Sequence, residues 1–307
     1  LLTDPIDGDA SVIVATLAEY GLTSLTPGIG QQWIGLAGRA HGVIANLARI
    51  DAAAIGCLTQ CQVIARLGVG INNIDTVAAQ ARGIVVTNVP DYCRAEVSDH
   101  ALALMLSLLR KLPLAHADVQ RGVWKQLSYR PIRRLSTLTL GLVGFGRLAQ
   151  ALAMKVQALG MKVIAHDPYI KASQSTFPVM SLDELLAQAD VVSLHAPLMP
   201  DTRGLMNAKT LSGMKRGSVL VNTSRGELVD EAALAAALDS GHLAGAALDV
   251  FATEPLPMDS PLRARPNVLL TPHMAFYSEE SLHDLQRTAA EEVARVLSGE
   301  APRHRAA

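Results

Sequence analysis

The 307-residue sequence has no excess of one charge, no long apolar run and no cysteine framework, and each absence removes a class of function. With a formal net charge of −1 and Lys and Arg scattered along the chain, there is no basic stripe for nucleic acid, and small, neutral partners are favoured. The longest apolar runs, such as "ALALMLSLL" from Ala101, fall well short of the roughly 18 residues that a membrane span requires. The opening "LLTDPIDGDA" has neither the basic flank nor the apolar core of a secretory signal. These features predict a soluble, cytoplasmic protein with no membrane partner. Cys57, Cys61 and Cys93 are odd in number and form no C-x-x-C pair, which argues against a disulfide framework or a zinc site and fits a reducing compartment. Cys93 precedes a helix expected from about Ala95, a setting that can activate a thiol, but no base accompanies it and it reads as inert. No metal site is expected. The chain also lacks internal repeats and low-complexity linkers.

What is present is alternation. The apolar runs "GVIAN", "QVIARLG", "GIVVTNV", "TLGLVG", "KVIAHD", "VVSLHA", "SVLVNTS", "AALDV" and "NVLLTPH" are interleaved with Ala/Leu-rich stretches of helical period. This pattern predicts βαβ units, hence parallel sheets covered by helices on both faces. A long helix from about Ala95 marks a domain boundary. The last helix, "SEESLHDLQRTAAEEVARVLSG", carries an apolar stripe of Leu282, Leu285, Val293 and Leu297 that must pack somewhere. Returning it to the first domain predicts residues 1–94 and 275–307 as a substrate-binding domain and 95–274 as an inserted cofactor domain, with the reaction in a cleft where they face each other.

The stretch "GLVGFGRLAQ" holds the candidate cofactor turn. Gly144 permits the tight turn, Gly146 lets backbone approach a diphosphate, and Ala149 supplies the small residue for packing helix against strand. Alone, G-x-G-x-x-A is a weak signal. Here a second strand, "MKVIAHDP", ends in Asp167 about 20 residues on, where a carboxylate accepts hydrogen bonds from a ribose and repels a 2′-phosphate. Arg147 and Leu148 open the helix, and Arg147 is either a phosphate partner or a solvated helix arginine.

Three polar stretches follow later strands: "NTSRGELVDE" with Arg225, "DVFATEP" with Glu254 and "TPHMAFYSEES" with His273. Each residue taken singly reads as an ordinary loop or structural group. Together at the carboxyl ends of strands they form a hydride-transfer set: a guanidinium fork for a carboxylate, an imidazole for a proton, and a carboxylate to orient the imidazole.

The stretches "RLGVGINNID", "NVPDYCRAEVSDHALALMLSLLRKL", "GLVGFGRLAQ", "HAPLMPDTRGLMN", "LVNTSRGELVDEAALAAAL", "AGAALDVFATEPLP" and "NVLLTPHMAFYSEES" resemble, in order, the signatures of the D-isomer-specific 2-hydroxyacid dehydrogenases. The likeness includes the branches related to phosphoglycerate dehydrogenase and to the C-terminal-binding-protein corepressors. The resemblance implies a Rossmann-type doubly wound parallel sheet inserted into a smaller flavodoxin-like α/β domain, NAD as cofactor, and a homodimer joined through the cofactor domain. It implies that Arg225 orients the substrate carboxylate, His273 is the general acid/base and Glu254 tunes it. Asp249 and the backbone of Thr223 would hold the carboxamide of the nicotinamide, His195 would wall the cofactor pocket, and the backbone at Val69 and Gly70 would bind the substrate carboxylate. His100 beside Asp99 is read as structural. Two other functions share the fold: a NAD-sensing corepressor scaffold, and formate dehydrogenase, against which Glu254 argues because that branch has glutamine there.

For the substrate, an unphosphorylated 2-keto acid is expected. Phosphoglycerate-acting members carry an arginine near the positions of Asn46 and Leu47, leaving Arg49 as the remaining phosphate partner. Phe276 either faces the substrate pocket or packs with Tyr277 under the final helix.

Overall fold

Each apolar run named above forms a strand in the computed structural model, which describes residues 1–6, 10–22, 25–27, 30–171, 173, 175–263 and 265–307. The chain divides into two compact units, Leu1–Cys93 with Tyr277–Ala307, and Arg94–Phe276.

In the smaller unit, β1 (Gly42–Ala45), β2 (Val63–Arg66) and β3 (Val85–Thr87) form a parallel sheet in the order β1-β2-β3. Parallel bridges from Leu2 to Ile44 and from Leu2 to Pro27 continue it beyond β1, giving the chain order 2-1-3-4-5 of flavodoxin-like sheets. Helices α1 (Ser11–Glu19), α2 (Ala52–Cys57) and α3 (Thr76–Ala81) belong to this unit, with Asp51 and Asp75 accepting from backbone N–H groups at the starts of α2 and α3.

In the larger unit come α4 (Arg94–Leu109), α5 (Leu112–Gln120), β4 (Thr139–Val143), α6 (Arg147–Ala158), β5 (Lys162–His166), α7 (Leu182–Gln188), β6 (Val191–Leu194), α8 (Ala208–Gly213), β7 (Val219–Asn222), α9 (Glu231–Asp239), β8 (Gly245–Leu248) and β9 (Val268–Leu270). Its six strands are parallel in the order β5-β4-β6-β7-β8-β9, and a bridge from Ala165 to Val179 extends the β5 edge. The order reverses at β4, so the gap between β4 and β6 is the topological switch point where such sheets bind ligands.

The central strands are buried at consecutive positions because both faces are covered. Leu140, Leu142, Val163, Ala165, Val219 and Val221 pack on one face with α4 and α6. Val143, Ile164, Val192, Leu194, Leu220 and Leu248 pack on the other with α7 and α9. Each buried Val, Leu or Ile stabilises by about 1.5–3 kcal/mol relative to exposure. The last helix, α10 (Glu279–Leu297), lies in the smaller unit, where Leu285, Ala289 and Val293 pack with Ile13, Leu17, Ile44 and Val63.

Candidate active site

Because β4 to β9 all run the same way, their carboxyl ends share one edge, and the polar stretches that follow them are gathered there. Gly144, directly after β4, has φ +84°, and a Cβ on it would lie 2.6 Å from the backbone nitrogen of Ala196. Any other residue would be strained and would clash with the chain leaving β6. Gly146 is different: a Cβ there meets nothing within 4 Å. Protein packing therefore does not account for the missing side chain, and the open space lies at the first turn of α6, where a helix N-terminus favours a phosphate. Arg147 and Leu148 form that first turn, and Ala149 is buried against the sheet.

Asp167 follows β5. Its Oδ2 accepts the N–H of Phe145 at 2.9 Å and its Oδ1 that of Tyr169 at 2.9 Å, so the carboxylate also fastens the glycine turn to the neighbouring strand end. His195 follows β6, with Nε2 2.9 Å from Ser193 Oγ. Part of the residue keeps exposed area, yet its imidazole is closely surrounded, and burial pushes its pKa down from 6.5 to about 4. It is neutral near pH 7 and unsuited to be a second proton donor. The unfolded chain then binds the proton more readily, so stability is fully present above pH 6.5 and is lost as pH falls from there toward 4. His195→Gln is expected to flatten that limb of the stability curve in urea titrations at stepped pH; an unchanged limb would refute the assignment.

At the end of β7, the buried Asn222 accepts the N–H of Ser224 at 3.0 Å and donates to the carbonyl of Arg225 at 2.9 Å, building the turn that presents Arg225. Ser224 Oγ donates to Ala196 O at 2.7 Å, joining this turn to the β6 end. The Arg225 guanidinium donates through Nη1 to Ser224 O at 2.6 Å. Thr223 is buried, and its hydroxyl has no partner among the described residues. Together with the open space at Gly146, this orphaned group fits a site shaped for a cofactor.

After β8, Glu254 Oε1 accepts the N–H of Phe251 at 2.9 Å, and Oε2 lies 2.7 Å from His273 Nδ1. Burial opposes ionisation of Glu254, but the hydrogen bonds from His273 and Phe251 and the charges of His273 and Arg225 outweigh it and hold the carboxyl below the usual glutamate range. His273 has φ +52°, a costly conformation for a side-chain-bearing residue. Its N–H donates to Asp249 O at 2.8 Å. The Asp249 carboxylate, fully buried, accepts from Thr271 Oγ1 at 2.6 Å and from the N–H groups of Met274 and Ala275 at 2.9 Å each. Both Asp249 oxygens are thus engaged by the loop that carries His273.

A cavity of about 220 Å³ is lined by Arg225, Glu254 and His273, with Gly226, Phe251 and Ala252 in its walls. Phe276 is half-buried at the end of the larger unit and is not among the residues that line this cavity. Val69 and Gly70 lie after β2 in the smaller unit, where Val69 O accepts from Asn88 Nδ2 at 2.6 Å. Sequence reasoning passed over Asn222, Gly226 and Glu231, whose Oε1 accepts the N–H of Ala252 at 2.9 Å. Their one legible signal was a glycine directly after the candidate arginine.

A switch-point sheet with a glycine turn, an acidic strand end and an Arg/Glu/His cavity defines a dinucleotide-dependent α/β protein. The model of the D-isomer specific 2-hydroxyacid dehydrogenase NAD binding domain matches residues 102–275, and the chain belongs to this family. D-3-phosphoglycerate dehydrogenase of Mycobacterium tuberculosis is 40% identical over 261 residues, covering 84% of this chain and 49% of the relative. The chain thus spans about half the length of that relative and 57% of the D-3-phosphoglycerate dehydrogenase of Methanocaldococcus jannaschii, which is 36% identical and covers 98% of this chain. Among solved structures, a protein from Thermus thermophilus is 38% identical with a TM-score of 0.90, covering 100% of this chain and 99% of that one. D-Lactate dehydrogenase from Aquifex aeolicus, complexed with NAD and lactic acid, is 28% identical with a TM-score of 0.87, covering 97% and 95%.

Proposed function

We propose that the protein is an NAD-dependent dehydrogenase that interconverts a 2-keto acid and a D-2-hydroxy acid. The observation that carries this reading is the convergence of Arg225, Glu254 and His273 on one cavity at the sheet edge that also bears the glycine turn. Gly144, Gly146, Arg147 and Leu148 hold the diphosphate, Asp167 the adenosine ribose, and His195 and Thr223 border the nicotinamide. Asp249 serves that end by fixing the loop after β9. Bound NAD(H) supplies the hydride for reduction of substrate C2 and accepts it in oxidation. The Arg225 fork grips the substrate carboxylate. With Nδ1 committed to Glu254, His273 has Nε2 left to give the carbonyl oxygen its proton during reduction and to take it back during oxidation. Glu254, ionised near pH 7, steadies the imidazolium.

The Asp167 carboxylate makes NADH the preferred coenzyme over NADPH. Asp167→Ser is expected to narrow the kcat/KM ratio between the two, and, since Asp167 also fastens the glycine turn, to weaken NADH binding as well. Equal efficiency with both coenzymes in the unaltered protein would overturn the role given to Asp167.

The relatives named D-3-phosphoglycerate dehydrogenase make a phosphorylated substrate the competing reading. An unphosphorylated 2-keto acid is favoured by the β1 end, where the neutral Asn46 gives its N–H to the Asp4 carboxylate at 3.1 Å and Leu47 is 75% exposed. A carboxylate at that strand end repels a phosphate dianion. The test is kcat/KM with NADH across glyoxylate, hydroxypyruvate, a branched keto acid, phenylpyruvate and 3-phosphohydroxypyruvate. An unphosphorylated acid should win; a clear win for the phosphorylated compound overturns the substrate class, and no turnover of any overturns the enzyme in favour of a scaffold.

A homodimer through the larger unit is supported by the apolar side chains that α5 and the segment after it leave exposed: Leu112, Val119, Trp124, Leu127 and Ile132. The three cysteines, none of them in a disulfide, fit the reducing cytoplasm.

A further inference from the structure

The proposed site leaves His100, on α4, without a role. Its Nε2 lies 3.0 Å from Thr271 Oγ1 and 3.6 Å from Asp249 Oδ1, with the side chain 20% exposed. Hydrogen accounting fixes the direction of that bond. A threonine hydroxyl has one proton, and Thr271 gives it to Asp249 Oδ1 at 2.6 Å. The contact with His100 therefore needs a proton on His100 Nε2, donated to the hydroxyl oxygen. Asp99, beside His100 on the helix, is engaged by Lys155 of α6 at 2.6 Å, so Asp249 is the carboxylate at the other end of this chain of bonds.

Resting on the reading of His273 as the acid/base, we propose that His100 is a positioning residue. It acts through Thr271 to hold the Asp249 carboxylate in the rotamer that accepts Met274 and Ala275 N–H, and so keeps His273 in its positive-φ conformation with Nδ1 on Glu254. A loop held in an unfavourable backbone conformation relaxes when a restraint is removed, and His273 sits at its strained point. The bonds from His100 to Thr271, to the Asp249 carboxylate and to the 274–275 backbone, directly after His273, form an unbroken path.

The test uses the full chain with His100→Leu, His100→Gln and Thr271→Val. Two readouts are taken: steady-state reduction with NADH, and the His273 Nδ1–H proton signal, which reports its hydrogen bond to Glu254, followed by nitrogen-edited NMR in the ligand-free protein. His100→Leu and Thr271→Val are expected to lower kcat about ten- to hundredfold, since displacements of about 1 Å at a reacting group cost that much. Both should move the His273 Nδ1–H signal upfield as its hydrogen bond to Glu254 loosens, with little change in KM for NADH. His100→Gln, whose amide nitrogen also donates, should restore both readouts toward those of the unaltered protein. Unchanged kcat and Nδ1–H signal in His100→Leu, or equal losses in the Leu and Gln variants with an unmoved signal, would overturn the proposal. Should His100→Leu fail to fold, as seen by circular dichroism, Thr271→Val decides alone. The NMR arm does not depend on turnover, so a His273→Ala protein that stays active sinks the functional reading without deciding whether His100 positions the loop.

Discussion

His273→Ala is expected to lower the rate of 2-keto acid reduction by about 10²- to 10⁴-fold, the usual cost of losing a positioned general acid, while NADH binding survives. The expectation follows from geometry. His273 Nδ1 is 2.7 Å from a Glu254 oxygen, which leaves Nε2 as the ring nitrogen available to a substrate. The alternative imidazole, His195, is held neutral by burial with a pKa of about 4 and cannot substitute. NADH binding should persist because the glycine turn and Asp167 lie at the ends of β4 and β5, several strands from the end of β9. Stopped-flow reduction together with NADH fluorescence titration separates the two effects. Near-normal turnover in the variant would place the acid elsewhere.

The second large effect is expected at a residue with no chemistry of its own. A Cβ on Gly226 would overlap the carbonyl carbon of Phe251 and the amide nitrogen of Ala252. Both obstacles are backbone, so no side chain can swing aside. Gly226→Ala must therefore drive the Arg225 turn away from the 251–254 loop, which Phe251 N–H and Glu231 hold from either side. The fork of Arg225 and the carboxylate of Glu254 then lose register across the cavity they share. A shift of about 1 Å at such a site costs on the order of 10²-fold in rate. Because Arg225 is displaced, KM for the 2-keto acid should rise together with the fall in kcat, whereas coenzyme affinity should change little. Crystallography or kinetics showing an unmoved Arg225 and normal KM would refute the close-packing account.

The sequence determined the strands and the order of the elements. Runs such as "TLGLV" and "VVSL" are mostly apolar, without polar alternation, because both faces of their sheet are covered, and that signature is local. The glycine turn was legible for the same reason, since Gly144 needs its φ of +84° wherever that turn occurs. Which groups meet was another matter. Arg225, Glu254 and His273 are separated along the chain, and it is the parallel order β7-β8-β9 that brings their strand ends together. The hydrogen-bond partners of Asp249 were hidden more deeply: Thr271, Met274 and Ala275 are reached only when β8 and β9 lie side by side. His100 gave no signal at all, for a histidine on a helix acquires a partner only when that helix packs, and nothing in its local pattern names Thr271. Local backbone preference and periodic burial are written residue by residue. A hydrogen bond between distant residues is a property of the packed sheet, and only the tertiary structure decides it.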